Sequence, residues 1–296
     1  MQRFFTWKIF LSFLKDAFSV LGAFGIITTV TSFFDQLNTT NNLLKSSPSL
    51  LTVLVIAVVW GVFNNRPRTK FEYKLNNKDI RMRLVIGDIL KENGSVIVPI
   101  NNEFDTSLGG SVTRSDSIKA QVIKKFFDGD SGKLGDKLKG KLKNTIYNAL
   151  KDGSGYKMGT TLTIEQGGKK FYLSANSRKI NKSRVVAREE DLVQTLSGIW
   201  EYLANYGAKE NVVIPLLGTG NGRLGKPRGE VFKDIVRSFI ASCSEKSYCE
   251  KLTIVIRPED VEQYEINIDE LNEFLCLNCK YATFVTGQNP RIGTSL

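Results

Sequence analysis

The sequence of 296 residues predicts an α/β fold in which an N-terminal two-helix transmembrane hairpin precedes a three-layer α/β/α domain with a mixed sheet. Residues 17–34 and 46–65 contain no charged side chain, and each run approaches the roughly 20 residues that cross a ~30 Å hydrocarbon core. The rest of the chain has a globular composition, in which buried strands alternate with helices. We therefore expect a hairpin over 1–66 and a cytosolic domain over 67–296.

Basic side chains concentrate outside the two apolar runs, at Arg3, Lys8, Lys15, Arg66, Arg68 and Lys70. By the positive-inside rule, this predicts a multi-pass protein of the cell inner membrane, in contact with lipid and with both termini in the cytosol. A cleaved signal peptide and a pair of buried helices of a soluble domain are the alternatives. The second run is apolar around the whole helix, which favours a membrane span.

Hydrophobic periodicity predicts the elements of the domain in chain order. Short apolar runs predict strands at 83–86, 95–100, 211–217 and 252–256. A β-hairpin is expected over 160–173, across Gly167 and Gly168. Apolar residues at helical spacing predict helices at 118–127, 188–206 and 230–242, and a short one after 269. The Lys- and Gly-rich stretch 133–151 is interpreted as a basic insertion that faces solvent.

Composition excludes some chemistry and leaves other chemistry open. The chain contains no histidine, so Ser–His and Cys–His nucleophilic catalysis and His-containing metal sites within it are excluded. The four cysteines are Cys243, Cys249, Cys276 and Cys279, of which the last two form a C-x-x-C pair. A zinc site remains open, but the first pair is loosely spaced and we predict no metal. The net charge of +11 is compatible with an anionic ligand, anionic lipid or nucleic acid.

Glycine-rich loops follow two of the predicted strands, at the sheet edge where α/β domains bind ligands. One loop is 218–225, with four glycines in eight residues, and the other is 101–111, ending at Gly109, Gly110 and Ser111; a helix is predicted after each. Open backbone N–H groups at such a loop can bind a diphosphate, although each loop alone could also be a flexible turn. Asp88 follows a third strand, where it could cap a helix or accept a hydrogen bond from the amine of a nucleotide base.

Four segments together resemble the macro domain, an ADP-ribose-binding fold: V-I-G-D-I at 85–89, V-P-I-N-N-E at 98–103, L-G-G-S-V at 108–112 and I-P-L-L-G-T-G-N-G at 214–222. The resemblance covers about residues 80–260. It implies that Asp88, with Ile89 beside it, holds the adenine amine, and that the glycine loops hold the diphosphate and distal ribose. The family's V-N-A-A-N-E motif has Pro99 in place of its first Asn and keeps the second as Asn102. That departure puts hydrolytic activity in doubt. The implied ligand-binding residues are Asp88, Ile89, Asn102, Gly109, Gly110, Ser111, Gly218, Thr219, Gly220, Asn221 and Gly222.

A membrane hairpin joined to such a domain resembles, more narrowly, the transmembrane-macro effectors of type II Thoeris anti-phage systems. The resemblance implies that a partner TIR-domain enzyme converts NAD into an ADP-ribose-derived signal, for which a histidine conjugate has been proposed in this group. The macro domain would sense it, and the membrane part would disrupt the membrane in abortive infection. A homo-oligomer follows, because two spans cannot enclose a pore; no enzymatic activity, cofactor or nucleic-acid partner is expected.

Two other functions remain as alternatives. One is a membrane-anchored ADP-ribosyl hydrolase, in which Asn102, Glu103 and Asp105 orient water. The other is a membrane-tethered nucleic-acid binder that uses 133–151, a stretch with few aromatic residues for base stacking.

Overall fold

The computed structural model describes residues 7–33, 47–64, 68–108, 117–181, 184–220, 223–244 and 246–284. The chain divides into two compact units, Met1–Arg68 and Thr69–Leu296.

In the described part of the N-terminal unit there are two helices, α1 (Trp7–Phe33) and α2 (Ser47–Asn64). They approach closely at Gly61, where an added Cβ would lie 2.8 Å from ring carbons of Phe13. A larger side chain at this position would therefore separate the two helices. Large apolar side chains on both helices are exposed, among them Phe18, Ile26, Leu51, Val59 and Trp60.

No helix within the described ranges is long and apolar enough to cross a membrane. In α1 the charge-free part begins only at Ala17, after Lys15 and Asp16, and it includes several Ser and Thr residues. In α2 the apolar part, 50–63, rises only about 21 Å at about 1.5 Å per residue, whereas a hydrocarbon core is ~30 Å thick. The predicted transmembrane hairpin, and with it the localisation as a multi-pass inner-membrane protein with cytosolic termini, is therefore wrong.

The C-terminal unit is built on one eight-stranded sheet with the order β1–β2–β8–β7–β3–β5–β4, in which β6 pairs with β5. The strands are β1 (Lys70–Lys74), β2 (Arg81–Ile86), β3 (Ser95–Asn101), β4 (Thr161–Gln166), β5 (Lys169–Asn181), β6 (Arg184–Val186), β7 (Glu210–Pro215) and β8 (Cys249–Ile256). The five central strands, from β2 to β5 in the sheet order, run parallel. The edge strands β1 and β4 pair antiparallel to their neighbours, so the mixed sheet is confirmed.

Among the residues that the structure describes, six helices accompany the sheet: α3 (Ile118–Phe126), α4 (Ser131–Leu142), α5 (Glu189–Tyr206), α6 (Arg228–Ser242), α7 (Pro258–Gln263) and α8 (Ile268–Lys280). Short 3₁₀ turns occur at Ile89–Lys91 and Lys143–Asn148. Side chains cap the N-termini of several helices. At α3, Ser117 accepts a hydrogen bond from the N–H of Ala120, and at α4, Asp130 accepts one from the N–H of Gly132.

The sheet is buried on both faces, as the continuous apolar runs predict. Val96, Val98 and Ile100 of β3 belong to one core cluster with apolar residues of α3 and α4. Ile97 lies between them in the strand and is also fully buried, although it is not part of that cluster. Because successive side chains alternate between faces, β3 is covered on both sides.

Part of the Lys- and Gly-rich stretch is not the solvent-facing insertion that we expected. Asp130 caps α4, and Leu134 and Leu138 of this helix are each 1% exposed in the core. Residues four apart share one helix face, so α4 packs with its two leucines and exposes its lysines.

Candidate functional site

A cleft opens at the carboxyl ends of the parallel strands. Asp88 and Ile89 line it after β2, Thr219 and Gly220 after β7, and Arg257 after β8. The sheet topology therefore brings together four of the residues that the sequence predicts as ligand-binding. A narrower inner compartment adjoins the cleft and shares Thr219 and Gly220 with it.

The inner compartment is lined by residues from several elements, including Asn101, Lys119, Asn176, Ser177 and Gly218. Gly218 thus joins the predicted residues at the cleft. The predicted residues Gly109, Gly110, Ser111, Asn221 and Gly222 lie outside the described parts of the chain.

Asp88 caps the 3₁₀ turn that follows β2. Its Oδ1 accepts a hydrogen bond of 2.9 Å from the N–H of Leu90. The residue is exposed in the cleft, while Ile89 beside it is buried. Only one carboxylate oxygen is used by the cap, so the other retains its capacity to accept a hydrogen bond from a ligand.

The loop Gly218–Gly220 has its carbonyl groups held by protein donors. The Gly218 carbonyl accepts a hydrogen bond from the N–H of Leu224 at 3.1 Å, and the Gly220 carbonyl accepts one from the N–H of Arg223 at 3.2 Å. The Thr219 carbonyl between them accepts one from the guanidinium of Arg228 at 2.8 Å. Within the described residues, the three N–H groups of the loop have no acceptor. Gly218 has a φ of +73°, a left-handed conformation that glycine adopts without strain. Backbone N–H groups free of protein acceptors can bind an anion.

Arginine side chains gather beside this loop. Arg257 forms a two-point hydrogen bond with Asp260, from Nε at 3.1 Å and from Nη2 at 2.9 Å. The guanidinium of Arg228 stacks on the Tyr264 ring, 3.2 Å from its centroid, and its Nε lies 3.8 Å from the same Asp260 carboxylate. The described lining of the cleft and inner compartment carries five basic residues (Lys91, Lys119, Arg223, Arg228, Arg257) and three acidic ones (Asp88, Glu259, Asp260). This balance suits an anionic ligand.

Asn102 serves the fold in this structure. It is 4% exposed, its Nδ2 donates to the Ser154 carbonyl at 2.7 Å, and its Oδ1 accepts from the N–H of Lys179 at 2.9 Å. Both ends of the side chain are thus bonded to backbone groups. Its neighbour Asn101, which the sequence interpretation did not select, lines the inner compartment instead.

Glu103 and Asp105, the carboxylates considered for water activation, are both paired with Lys179, at 2.8 and 2.9 Å. Burial would raise the pKa of Asp105, but hydrogen bonds from Ser107 and Lys179 outweigh it and lower that pKa to about 2. The Asp105 carboxylate is therefore ionised at neutral pH and paired with Lys179, which makes it a poor general base.

Lys119 is a second residue that sequence patterns did not reveal. It is 6% exposed, and its Nζ donates to the carbonyls of Asp105 and Ser107 at 2.8 and 3.2 Å. Burial lowers its pKa to about 8, against the opposing attraction of Asp105. The ammonium group thus fastens the loop after β3 to the first turn of α3.

The cysteines give no sign of a metal centre in the described part of the chain, where no group of three or more His, Cys, Asp or Glu is arranged to hold an ion. All four are free thiols. Burial raises the pKa of Cys243 to about 11 and the pKa values of Cys249 and Cys279 to about 12, so these three are protonated and unreactive at neutral pH.

Comparison with known proteins identifies relatives of the C-terminal unit. The family model described as "Thoeris protein ThsA, Macro domain" matches residues 82–257. The Thoeris protein ThsA of Bacillus amyloliquefaciens (strain Y2) is 24% identical over 175 residues, which are 57% of this chain and 57% of that protein. The chain therefore spans little more than half the length of this curated relative.

Three solved structures of the Oceanobacillus iheyensis macrodomain are also similar. One is a point mutant with 18% identity, which covers 71% of this chain and 96% of that one, with a TM-score of 0.46. Another point mutant has 16% identity and covers 70% of this chain and 99% of that one, with a TM-score of 0.45. The third, with ADP, has 17% identity, covers 70% of this chain and 99% of that one, and has a TM-score of 0.43. At such TM-scores these likenesses carry no weight for the function.

Proposed function

Because the chain belongs to the macro-domain family of the Thoeris protein ThsA, we propose that it is a nucleotide sensor of anti-phage defence. Its cleft would bind an ADP-ribose-type signal made by a TIR-domain, NAD-consuming enzyme. The histidine conjugate of ADP-ribose, expected from the sequence resemblance, is one candidate for that signal. The whole relative's role in defence supports this proposal only through the region that the two chains share.

One observation carries the proposal: the Gly218–Gly220 loop holds its carbonyls on protein donors and offers its N–H groups, at a cleft lined with excess positive charge. A diphosphate supplies the acceptor oxygens that such a loop lacks. Asp88 lines the same cleft and can accept from the exocyclic amine of adenine. The diphosphate would thus lie at the loop, and the base near Asp88.

Binding without turnover fits the described groups better than hydrolysis does. Asn102 is bonded to backbone groups at both ends of its side chain, and Glu103 and Asp105 are both paired with Lys179. Neither carboxylate is free to act as a general base in this arrangement. The alternative of an ADP-ribosyl hydrolase therefore has no specific support from these residues.

The proposed output is self-association of the N-terminal unit. Exposed apolar side chains on α1 and α2 form the kind of surface that marks a protein interaction site. A ligand can drive assembly only if it binds one conformational state more tightly than another. Sedimentation velocity of the full chain with and without ADP-ribose or its histidine conjugate tests this step, and a ligand-independent sedimentation coefficient would contradict it.

The experiment that tests the binding site replaces Gly220 with Val. A Cβ at Gly220 meets no described atom within 4 Å, so we expect the substitution to leave the fold intact while it adds a side chain at a residue that lines the cleft. We expect ADP-ribose to raise the Tm of wild type and not that of Gly220→Val, with equal Tm values for the free proteins. Gly225→Val is the matched control, because Gly225 is equally open and does not line the cleft. An equal ligand-induced shift in wild type and Gly220→Val would contradict the proposed site.

A further inference from the structure

Arg228, at the first position of α6, links the helix to the glycine loop. Its Nη2 donates to the Thr219 carbonyl at 2.8 Å. We propose that Arg228 is a positioning residue, which fixes the loop in the conformation that presents its N–H groups to the ligand. This inference rests on the proposed nucleotide-binding function and assigns a role to a residue that sequence patterns did not select.

The geometry of the peptide unit gives the mechanism. The carbonyl of Thr219 and the N–H of Gly220 belong to one planar trans peptide, so they point in opposite directions. A guanidinium that draws the carbonyl oxygen to one side therefore directs the Gly220 N–H to the other. The preceding peptide is set in the same way, because the N–H of Leu224 holds the Gly218 carbonyl. Two successive N–H groups are thus oriented before any ligand arrives, which reduces the ordering that binding requires.

The surroundings of Arg228 keep its guanidinium in place for this contact. Its Cζ atom lies over the Tyr264 ring, 3.2 Å from the ring centroid. The Asp260 carboxylate is engaged at two points by Arg257 and approaches Arg228 only to 3.8 Å. Within the described residues the buried Nε of Arg228 has no hydrogen-bond partner. Among the described residues, the hydrogen bond that this guanidinium makes is therefore the one to the Thr219 carbonyl of the loop.

Charge gives Arg228 a second effect on the same ligand group. Asp260 is shared between two arginines, so the pair of guanidiniums with one carboxylate leaves a net positive charge beside the loop. That charge favours a diphosphate and does not favour the uncharged nucleoside part of the ligand. Loss of Arg228 should therefore weaken the binding of ADP-ribose and leave the binding of adenosine unchanged.

The test compares two ligands on four proteins: wild type, Arg228→Ala, Arg228→Lys and Arg237→Ala. Arg237 is the matched control, because it also lies on α6 over an aromatic ring, that of Phe274 at 5.1 Å, but does not line the cleft. Calorimetry measures the affinity for ADP-ribose, ligand-observed NMR measures that for adenosine, and thermal unfolding monitors the fold.

We expect Arg228→Ala to weaken ADP-ribose binding about tenfold or more and to change adenosine binding by less than about twofold, with Arg237→Ala like wild type. Arg228→Lys should fall between, because an ammonium keeps the charge but lacks the planar fork. Undiminished ADP-ribose binding by Arg228→Ala would overturn the inference, and so would equal losses for both ligands, which indicate general damage to the cleft. If Arg228→Ala does not fold, wild-type affinity in Arg228→Lys would overturn it instead. If wild type itself binds no ADP-ribose, the proposed function fails and this inference fails with it.

Discussion

Replacing Asp88 with Asn separates the two roles of this residue, the cap of a 3₁₀ turn and the proposed contact with the base. The cap is one hydrogen bond, in which Oδ1 accepts from the N–H of Leu90 at 2.9 Å. Asn caps about as well as Asp, so the free energy of unfolding should change by less than about 0.5 kcal/mol. In Asp88→Asn an NH₂ group replaces the second carboxylate oxygen. This NH₂ group and the adenine amine are both hydrogen-bond donors, so no hydrogen bond can form between them.

The loss of ligand affinity follows from the kind of bond that is removed. A hydrogen bond to a charged group contributes about 1.5–3 kcal/mol, and the lower end applies because Asp88 is exposed in the free protein. About 1.4 kcal/mol corresponds to tenfold in Kd, so we expect Asp88→Asn to weaken ADP-ribose binding about tenfold.

Calorimetric titration with ADP-ribose measures this effect. Asp130→Asn is the matched control, since Asp130 caps α4 in the same way, with Oδ1 accepting from the N–H of Gly132 at 2.8 Å, but does not line the cleft. Its affinity should equal that of wild type. The reasoning is refuted if Asp88→Asn binds within about twofold of wild type, or if both variants weaken alike.

Two further predictions concern residues that support the site. Asn102→Ala should destabilise the fold by about 1–3 kcal/mol, because it removes two hydrogen bonds, to the Ser154 carbonyl and from the Lys179 N–H, each of which contributes about 0.5–1.5 kcal/mol, and an unchanged urea midpoint would contradict this structural role. Lys119→Met should change the pH dependence of stability. The pKa of Lys119, lowered by burial to about 8 in the fold, returns to its ordinary value near 10.5 on unfolding, so the unfolded chain binds more protons between those pH values. The free energy of unfolding of wild type should therefore rise, relative to Lys119→Met, as the pH increases from about 8 to 10, and parallel curves would contradict the prediction.

Local signals identified much of the sheet. The β-hairpin across Gly167 and Gly168 was predictable because both glycines take the positive φ, +58° and +70°, that a two-residue hairpin turn requires. Edge strand β1 was missed, since its alternating charged residues resemble a polar linker. Helix α4 was missed because only Leu134 and Leu138 mark its buried face among lysines and glycines.

The N-terminal unit shows where a count of uncharged residues misleads. Absence of charge over 17–34 and 46–65 suggested two membrane spans, but Ser and Thr occupy part of the first run, and Ser, Thr, Pro and Asn occupy part of the second. Helix α2 begins at Ser47 and ends at Asn64, and its apolar part, 50–63, is shorter than the charge-free run. Accordingly, no helix in the described part of the chain is long and apolar enough to span a membrane.

For the site, the position of glycines and of Asp88 at strand ends was informative, since topology alone brings those ends together. The same rule, applied to the end of β8, would have identified Arg257. Arg228 and Lys119 could not be found in this way, because their roles depend on contacts with distant segments, Tyr264 and the loop after β3. Asn102 was chosen by motif position, whereas its side chain is used to hold the chain at Ser154 and Lys179.

The central claim is that the cleft binds an ADP-ribose-type signal through the loop at Gly220. Mass spectrometry of small molecules released by heat from the protein, after its isolation from phage-infected cells that also express the TIR-domain enzyme, tests this claim most directly. We expect a compound containing ADP-ribose from wild type and from Gly225→Val, and none from Gly220→Val. Recovery of no such compound from wild type, or of equal amounts from wild type and Gly220→Val, would contradict it.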